Sequence, residues 1–300
     1  MRKEIVLPSL AVGGGIVGLL LRRWELATAF EADTGLVTPN MPSTWALIIW
    51  SALLAAAFIL LCRGKHRSFA GGYDAAFAAK GNTVYITAMV LAAFLLLASA
   101  VLNYMGIPAA YAEAVAAARA GNAQGTPLFN VLPRAILGAL AAASFFCVLS
   151  TGRNNYRGEG KGKFSFPLLA PAYMGCIWLI AAYQVRAGDP VRQDYIYELF
   201  AIISSLLGLY FMAGFSFERA KVFRSSLFSL LGVYFSLVTL ADGHELYVVL
   251  LYGFCILSLT ANVTALLAND ARPEPRARRS HSEEEISAED SETEVTPDEQ

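Results

Sequence analysis

Eight apolar runs, each long enough to cross a bilayer as a helix, dominate this chain of 300 residues. A hydrocarbon core of about 30 Å requires roughly 20 apolar residues in helical conformation. The runs that approach this length cover residues 5–21, 44–62, 83–105, 129–150, 167–185, 196–216, 226–241 and 246–268. Because backbone groups in lipid must be paired internally, such runs predict helices. The predicted fold class is therefore an all-α, polytopic transmembrane bundle of about eight helices.

Composition excludes the common soluble classes. Apolar residues make up 56% of the chain and charged residues only 16%, whereas soluble domains carry about 25% charged residues. A typical cytosolic enzyme, a nucleic-acid binder and a disordered chain are therefore not expected. The lipid bilayer is the first predicted partner, and nucleic acid is not expected to be one.

The C-terminal segment differs sharply from the rest of the chain. Residues 270–300 hold 11 of the 24 acidic residues but only 4 of the 23 basic ones. A segment this polar cannot bury enough apolar surface to offset its ordering entropy. The sequence therefore predicts a transmembrane domain over residues 1–269 and a disordered acidic tail over 270–300. A cytoplasmic protein that docks on this tail is a candidate partner.

Lysine and arginine are concentrated on one side of the predicted bundle. The N-terminus, every second connection and the tail carry 17 of them, and the remaining connections carry 5. We call the first side the basic end and the other the opposite end. The positive-inside rule places the basic end, and with it both termini, in the cytoplasm. The first run is expected to stay as a signal anchor, because Arg22, Arg23 and Glu25 stand where a cleavable signal needs small neutral residues.

Two connections are predicted to contain short helices. The alanine-rich stretch from Ala109 to Ala120 follows Pro108 and predicts a separate helix at the opposite end. At the basic end, Phe69, Tyr73 and Phe77 are spaced at i, i+4 and i+8. This spacing predicts a helix that lies in the membrane interface; the alternative is a solvated loop with incidental aromatic residues.

The search for catalytic and metal-binding motifs gives no candidate. His244-Glu245 begins an H-E-x-x-H pattern, but Val248 occupies the position of the second histidine. The glycines of the 153–163 loop lack the flanking residues of a phosphate-binding loop, and the four cysteines form no C-x-x-C pair. No catalytic residue, metal or cofactor is therefore predicted, which disfavours an enzyme.

A stripe of small residues runs down one face of the seventh span. Ser225, Ser229, Gly232, Ser236 and Thr239 advance by alternating steps of four and three residues. Such stripes allow helix backbones to approach closely, so close packing is the favoured interpretation. The alternative is a polar track for an ion or a solute.

Charged residues near the opposite end form the candidate site. Arg134 and Glu198 lie inside apolar spans, and Asp242, His244 and Glu245 lie in the turn between the last two spans. Charged groups inside membrane spans are functional hypotheses by default; the alternative is an edge residue that reaches the headgroups. We predict that Arg134 and Glu198 approach one another, or share a polar pocket with His244 and Glu245.

The segment after the first span resembles a known group of proteins. Leu21-Arg22-Arg23-Trp24-Glu25-Leu26, followed by Phe30-Glu31 and Asp33-Thr34-Gly35-Leu36, is similar to uncharacterised multi-pass membrane proteins of clostridia-type bacteria. The likeness extends over the second and third spans. It implies a bacterial plasma membrane, and it implies no activity, substrate or site.

Three classes of function remain open at this stage. The favoured class is a non-enzymatic membrane scaffold or sensor with a cytoplasmic docking tail, because the tail differs so sharply from the body. A small-molecule or ion transporter is the alternative, supported by the charged residues at the opposite end and by the hydroxyl-bearing stripe of the seventh span. A lipid-modifying membrane enzyme comes last, because no catalytic constellation is present.

Overall fold

The computed structural model describes residues 2–31, 36–69, 71–121, 126–158, 165–186, 195–217 and 219–272. These residues form the helices α1 (Lys3–Thr28), α2 (Pro42–Cys62), α3 (Gly72–Ala76), α4 (Thr83–Arg119), α5 (Pro127–Arg157), α6 (Ser165–Arg186), α7 (Ile196–Ala213), α8 (Val222–Thr239) and α9 (Leu246–Asp270). A 3₁₀ turn, Gly214–Phe217, follows α7. Eight of these helices are long and apolar enough to cross a membrane. The protein is thus an all-α, membrane-embedded bundle. The predicted tail, apart from its first three residues, lies outside the described residues.

Each predicted span overlaps one helix of the structure, but several helices extend beyond them. α1 continues to Thr28, and α5 continues to Arg157. Charged residues end an apolar run, but arginine and glutamate are good helix formers and do not end backbone hydrogen bonding. Local signals mark the true ends: Pro42 and Pro127 open their helices, and Gly158, with φ of 69°, follows the last residue of α5.

The prediction of a separate helix over Ala109–Ala120 is wrong. α4 runs without a break from Thr83 through Pro108 to Arg119. A proline inside a membrane helix is tolerated where neighbouring groups satisfy the freed backbone. The alanine-rich stretch that follows has the highest intrinsic helix propensity and therefore continues the helix.

α8 lies at the centre of the bundle. It packs against α1, α2, α7 and α9, and 61% of its apolar window is buried, against 22% for α2. Its stripe of small residues is entirely buried. A Cβ atom placed on Gly208 of α7 would lie 3.2 Å from the Cα atom of Ser229. The close approach of the two backbones supports the packing interpretation of the stripe.

The interfacial helix predicted from Phe69, Tyr73 and Phe77 is wrong. In the described part of this segment, Gly72–Ala76 is the helical stretch, and the three aromatic residues are 8%, 6% and 0% exposed. Phe77 packs edge-on against Phe215, with ring centroids 5.3 Å apart. The aromatic face turns inward because the bundle offers it an apolar surface. Asn269 of α9 holds this segment by donating to the carbonyl oxygens of Ala76 and Ala78, both at 2.9 Å.

Asn155 joins four elements at the basic end. Its Nδ2 donates to the hydroxyl of Tyr73 at 3.1 Å and to that of Tyr85 at 2.7 Å. The Tyr85 hydroxyl in turn donates to Oδ1 of Asn262 at 2.9 Å. Burial raises the pKa of Tyr73 well above its usual value, so its hydroxyl stays neutral at physiological pH. This network links α3, α4, α5 and α9.

Replacing Asn155 with leucine should lower the free energy of unfolding by about 2 kcal/mol, since two buried hydrogen bonds are lost. Denaturant unfolding in detergent micelles measures the effect. Asn130→Leu, at an exposed position of the same helix, should change stability by less than about 0.5 kcal/mol. A double-mutant cycle with Tyr73→Phe should be non-additive; additive effects would show that Asn155 and Tyr73 do not interact.

Candidate functional site

Among the residues that the structure describes, Arg22 is the most deeply buried charge at the opposite end. Because α1 continues past its apolar run, Arg22 and Glu25 fall one turn apart on its inward face, 2% and 4% exposed. Arg22 Nη1 donates to Glu25 Oε2 at 2.7 Å, and Arg22 Nε donates to Asp242 Oδ1 at 2.8 Å. The guanidinium carbon also lies 5.1 Å from the ring centroid of Tyr197. One arginine thus ties α1 to α7 and to the turn between α8 and α9.

Asp242 connects this hydrogen-bond network to His244. Its Oδ2 accepts a hydrogen bond from Thr239 Oγ1 at 2.9 Å, and Thr239 Oγ1 lies 3.0 Å from His244 Nε2. Since the threonine hydroxyl gives its only proton to Asp242, the N–H of Nε2 donates to Thr239. The histidine side chain is 4% exposed and that of Asp242 is 10% exposed. The turn is therefore folded into the bundle.

Glu198 reaches the other side of the same imidazole. It is 7% exposed, and its Oε1 lies 4.0 Å from His244 Nδ1. We refer to Arg22, Glu25, Glu198, Asp242 and His244 as the buried ionic cluster. The cluster brings three carboxyl groups, one guanidinium and one imidazole together, their side chains each 10% exposed or less.

Arg134 and Glu245 form a second, more exposed pair beside the cluster. Arg134 Nη2 donates to Glu245 Oε2 at 2.7 Å, and Nη1 donates to Oε1 at 3.3 Å. Asn103 fixes Arg134 from α4, accepting from Nε at 2.9 Å and donating to the backbone carbonyl at 2.8 Å. The side chain of Glu245 is 61% exposed and that of Arg134 is 19% exposed. We call this pair the rim pair.

The five residues predicted as a cluster thus all lie at the opposite end, in two groups. Arg134 forms its ion pair with Glu245 rather than with Glu198, and Glu198 faces His244. His244 and Glu245 are consecutive, so the turn joins the rim pair to the buried ionic cluster. Sequence reasoning missed Arg22 and Glu25, which it assigned to a connection. Their i, i+3 spacing, which suits a salt bridge on one helix face, was the available signal.

Within the described part of the chain, no group of three or more His, Cys, Asp or Glu side chains is placed to hold a metal ion. The described side chains of the site make ion pairs and hydrogen bonds with one another. Comparison of the chain with protein-family models, with curated proteins and with solved structures gave no match.

Proposed function

We propose that the protein is a non-enzymatic membrane sensor or scaffold, whose input site is the buried ionic cluster and whose output is the acidic tail. One observation carries the proposal: a single helix, α9, joins the turn that holds the cluster to the residue at which the tail begins. Asp242, His244 and Glu245 directly precede α9, and Asp270 ends it.

The geometry of α9 supports a mechanical connection between the two sites. Its 25 residues span about 37 Å at 1.5 Å per residue. At its far end, Asp270 Oδ2 lies 2.9 Å from His66 Nδ1, and Oδ1 accepts from the backbone N–H of Arg67 at 2.8 Å. A change at the turn would therefore be transmitted along one continuous helix to a fixed point beside the tail.

Neutralising Asp242 should alter the dynamics of the tail root, which we define as residues 262–272 at the end of α9. We expect Asp242→Asn to weaken the interaction between Arg22 and the turn. Amide hydrogen exchange should then become faster in peptides that cover residues 262–272. Glu113→Gln, which removes an exposed acid from the same end of the bundle, is the matched control and should leave those peptides unchanged. Faster exchange confined to residues 239–246 would show that the turn and the tail root are uncoupled.

Transport is the second candidate function. Among the described residues, the hydroxyl oxygens of Ser225, Ser226 and Ser258 are buried without a hydrogen-bond partner, as polar groups along a solute path would be. The close contact of α7 and α8 argues against such a path in the present conformation. Uptake of labelled ions and small solutes into proteoliposomes separates the classes: the sensor proposal requires the same uptake as in empty vesicles.

We also propose that the membrane is a bacterial plasma membrane with both termini in the cytoplasm. The resemblance of residues 21–36 and the basic end support this arrangement. After Asn269, a reporter enzyme that works only in the cytoplasm should be active, and one that works only outside the cell should be inactive. Beside Gly121 the two reporters should give the opposite result. The reverse result at both positions would invert the orientation of every helix.

A further inference from the structure

We propose that a groove between α4 and α5, at the basic end, binds a phospholipid with an anionic headgroup. The groove has a volume of about 620 Å³, within the range of about 300–1,000 Å³ that is usual for ligand sites. It lies at the end of the bundle remote from the buried ionic cluster, so the proposal does not depend on the sensor function.

The groove is apolar at its deep end and polar at its mouth. Ile86 and Val90 of α4 and Phe146 and Leu149 of α5 supply the apolar lining, and Arg153 and Arg157 line the end nearest the basic loops. From Phe146 to Arg157 the helix rises about 16 Å, close to half of the hydrocarbon thickness of about 30 Å. The apolar part therefore matches an acyl chain, and the arginines lie at the depth of its phosphate.

The charge at the mouth selects an anionic headgroup. Arg153 and Arg157 are four residues apart, so their side chains project from one face of α5. The aliphatic part of Lys80 lies against Gly158, just beyond them. None of the described residues that line the groove is acidic. Guanidinium groups bind phosphate oxygens through paired hydrogen bonds, and basic pockets between membrane helices favour anionic lipids.

Lipid titration of the full-length protein in detergent micelles tests the site. The ligands are dioleoyl phosphatidylglycerol, phosphatidylcholine with the same chains, and inorganic phosphate. Native mass spectrometry counts the retained lipid, and the unfolding midpoint without lipid reports the integrity of each variant. We expect phosphatidylglycerol to be retained at concentrations at least tenfold lower than phosphatidylcholine, and inorganic phosphate at equal concentration neither to compete with it nor to raise the midpoint.

Two variants separate a defined site from general surface charge. Arg153→Gln with Arg157→Gln should raise the half-saturating phosphatidylglycerol concentration at least tenfold. Arg63→Gln with Arg219→Gln removes the same charge from exposed positions at the same end and should change it less than twofold. Ser150→Trp keeps both arginines but fills the groove, so it should also abolish tight retention, and Arg153→Gln alone serves if the double variant does not fold.

Three results would overturn the proposal. Equal losses of phosphatidylglycerol binding in the two double variants would show that general surface charge causes the effect. Undiminished binding in Ser150→Trp would show that the acyl chain does not occupy the groove. Competition by inorganic phosphate would show that the arginines bind free anions rather than a lipid.

Discussion

Replacing Arg22 with glutamine should destabilise the protein by about 3–5 kcal/mol, the usual cost of removing one partner from a buried ion pair. The loss is large because two buried carboxylates accept hydrogen bonds from this one guanidinium. Glu25 and Asp242 accept from it at 2.7 and 2.8 Å in an environment where the arginine itself is 2% exposed. The free energy of unfolding, measured by denaturant titration in micelles, checks the prediction.

The neighbouring arginine is the matched control for this experiment. Arg23 is exposed, and Arg23→Gln changes the net charge of the same helix turn by the same amount. Its effect should stay below about 0.5 kcal/mol. Similar losses for Arg22→Gln and Arg23→Gln would mean that the buried network adds nothing beyond general charge at this end of α1.

A second substitution distinguishes unpaired charge from lost contacts. If the penalty arises because Asp242 is left buried and negative, Arg22→Gln combined with Asp242→Asn should recover part of the loss. The same cycle bears on the proposed function, because it weakens the link between α1 and the turn before α9 while it restores charge balance. A double variant no more stable than Arg22→Gln alone would indicate that packing of the arginine, rather than its charge, dominates.

The fold was largely predictable because the bilayer imposes a length and a composition on every spanning helix. The criterion responds only to apolar runs, so it located the long helices and underestimated the lengths of α1, α4 and α5, whose ends are polar or alanine-rich. Pro108 was misread as a boundary because proline is common at the first position of a helix, whereas the alanine-rich stretch after it has high helix propensity and continues α4.

The candidate site was predictable only in part, for a different reason. Arg134, Glu198 and the turn residues stand out because they interrupt or border apolar runs. Arg22 and Glu25 lie beyond such a run, and from sequence they are indistinguishable from loop charges. Phe69, Tyr73 and Phe77 have the periodicity of an amphipathic face, but periodicity does not tell whether that face meets lipid or protein. Whether such a residue is buried in the protein depends on partners that are distant in sequence, such as Phe215 for Phe77.

Tight packing at the centre of the bundle predicts the second large effect. A side chain at Gly208 must displace the backbone of Ser229, whose N and Cα atoms would lie 3.2 Å from a new Cβ. Backbone cannot rotate away as a flexible side chain can, so α7 and α8 must separate. We expect Gly208→Leu to cost about 3 kcal/mol or more, at the upper end of the range for overpacked cores.

Gly13 of α1 provides the matched control, because it is exposed and nothing lies within 4 Å of a Cβ atom placed on it. Gly13→Leu adds the same side chain to a membrane helix but should be neutral or slightly stabilising, since leucine is the better helix former by roughly 0.5–1 kcal/mol. Unfolding in micelles compares the two variants. Equal stability would mean that α7 and α8 can part without penalty, and the stripe on α8 would then regain its alternative interpretation as a path that opens for an ion or a solute.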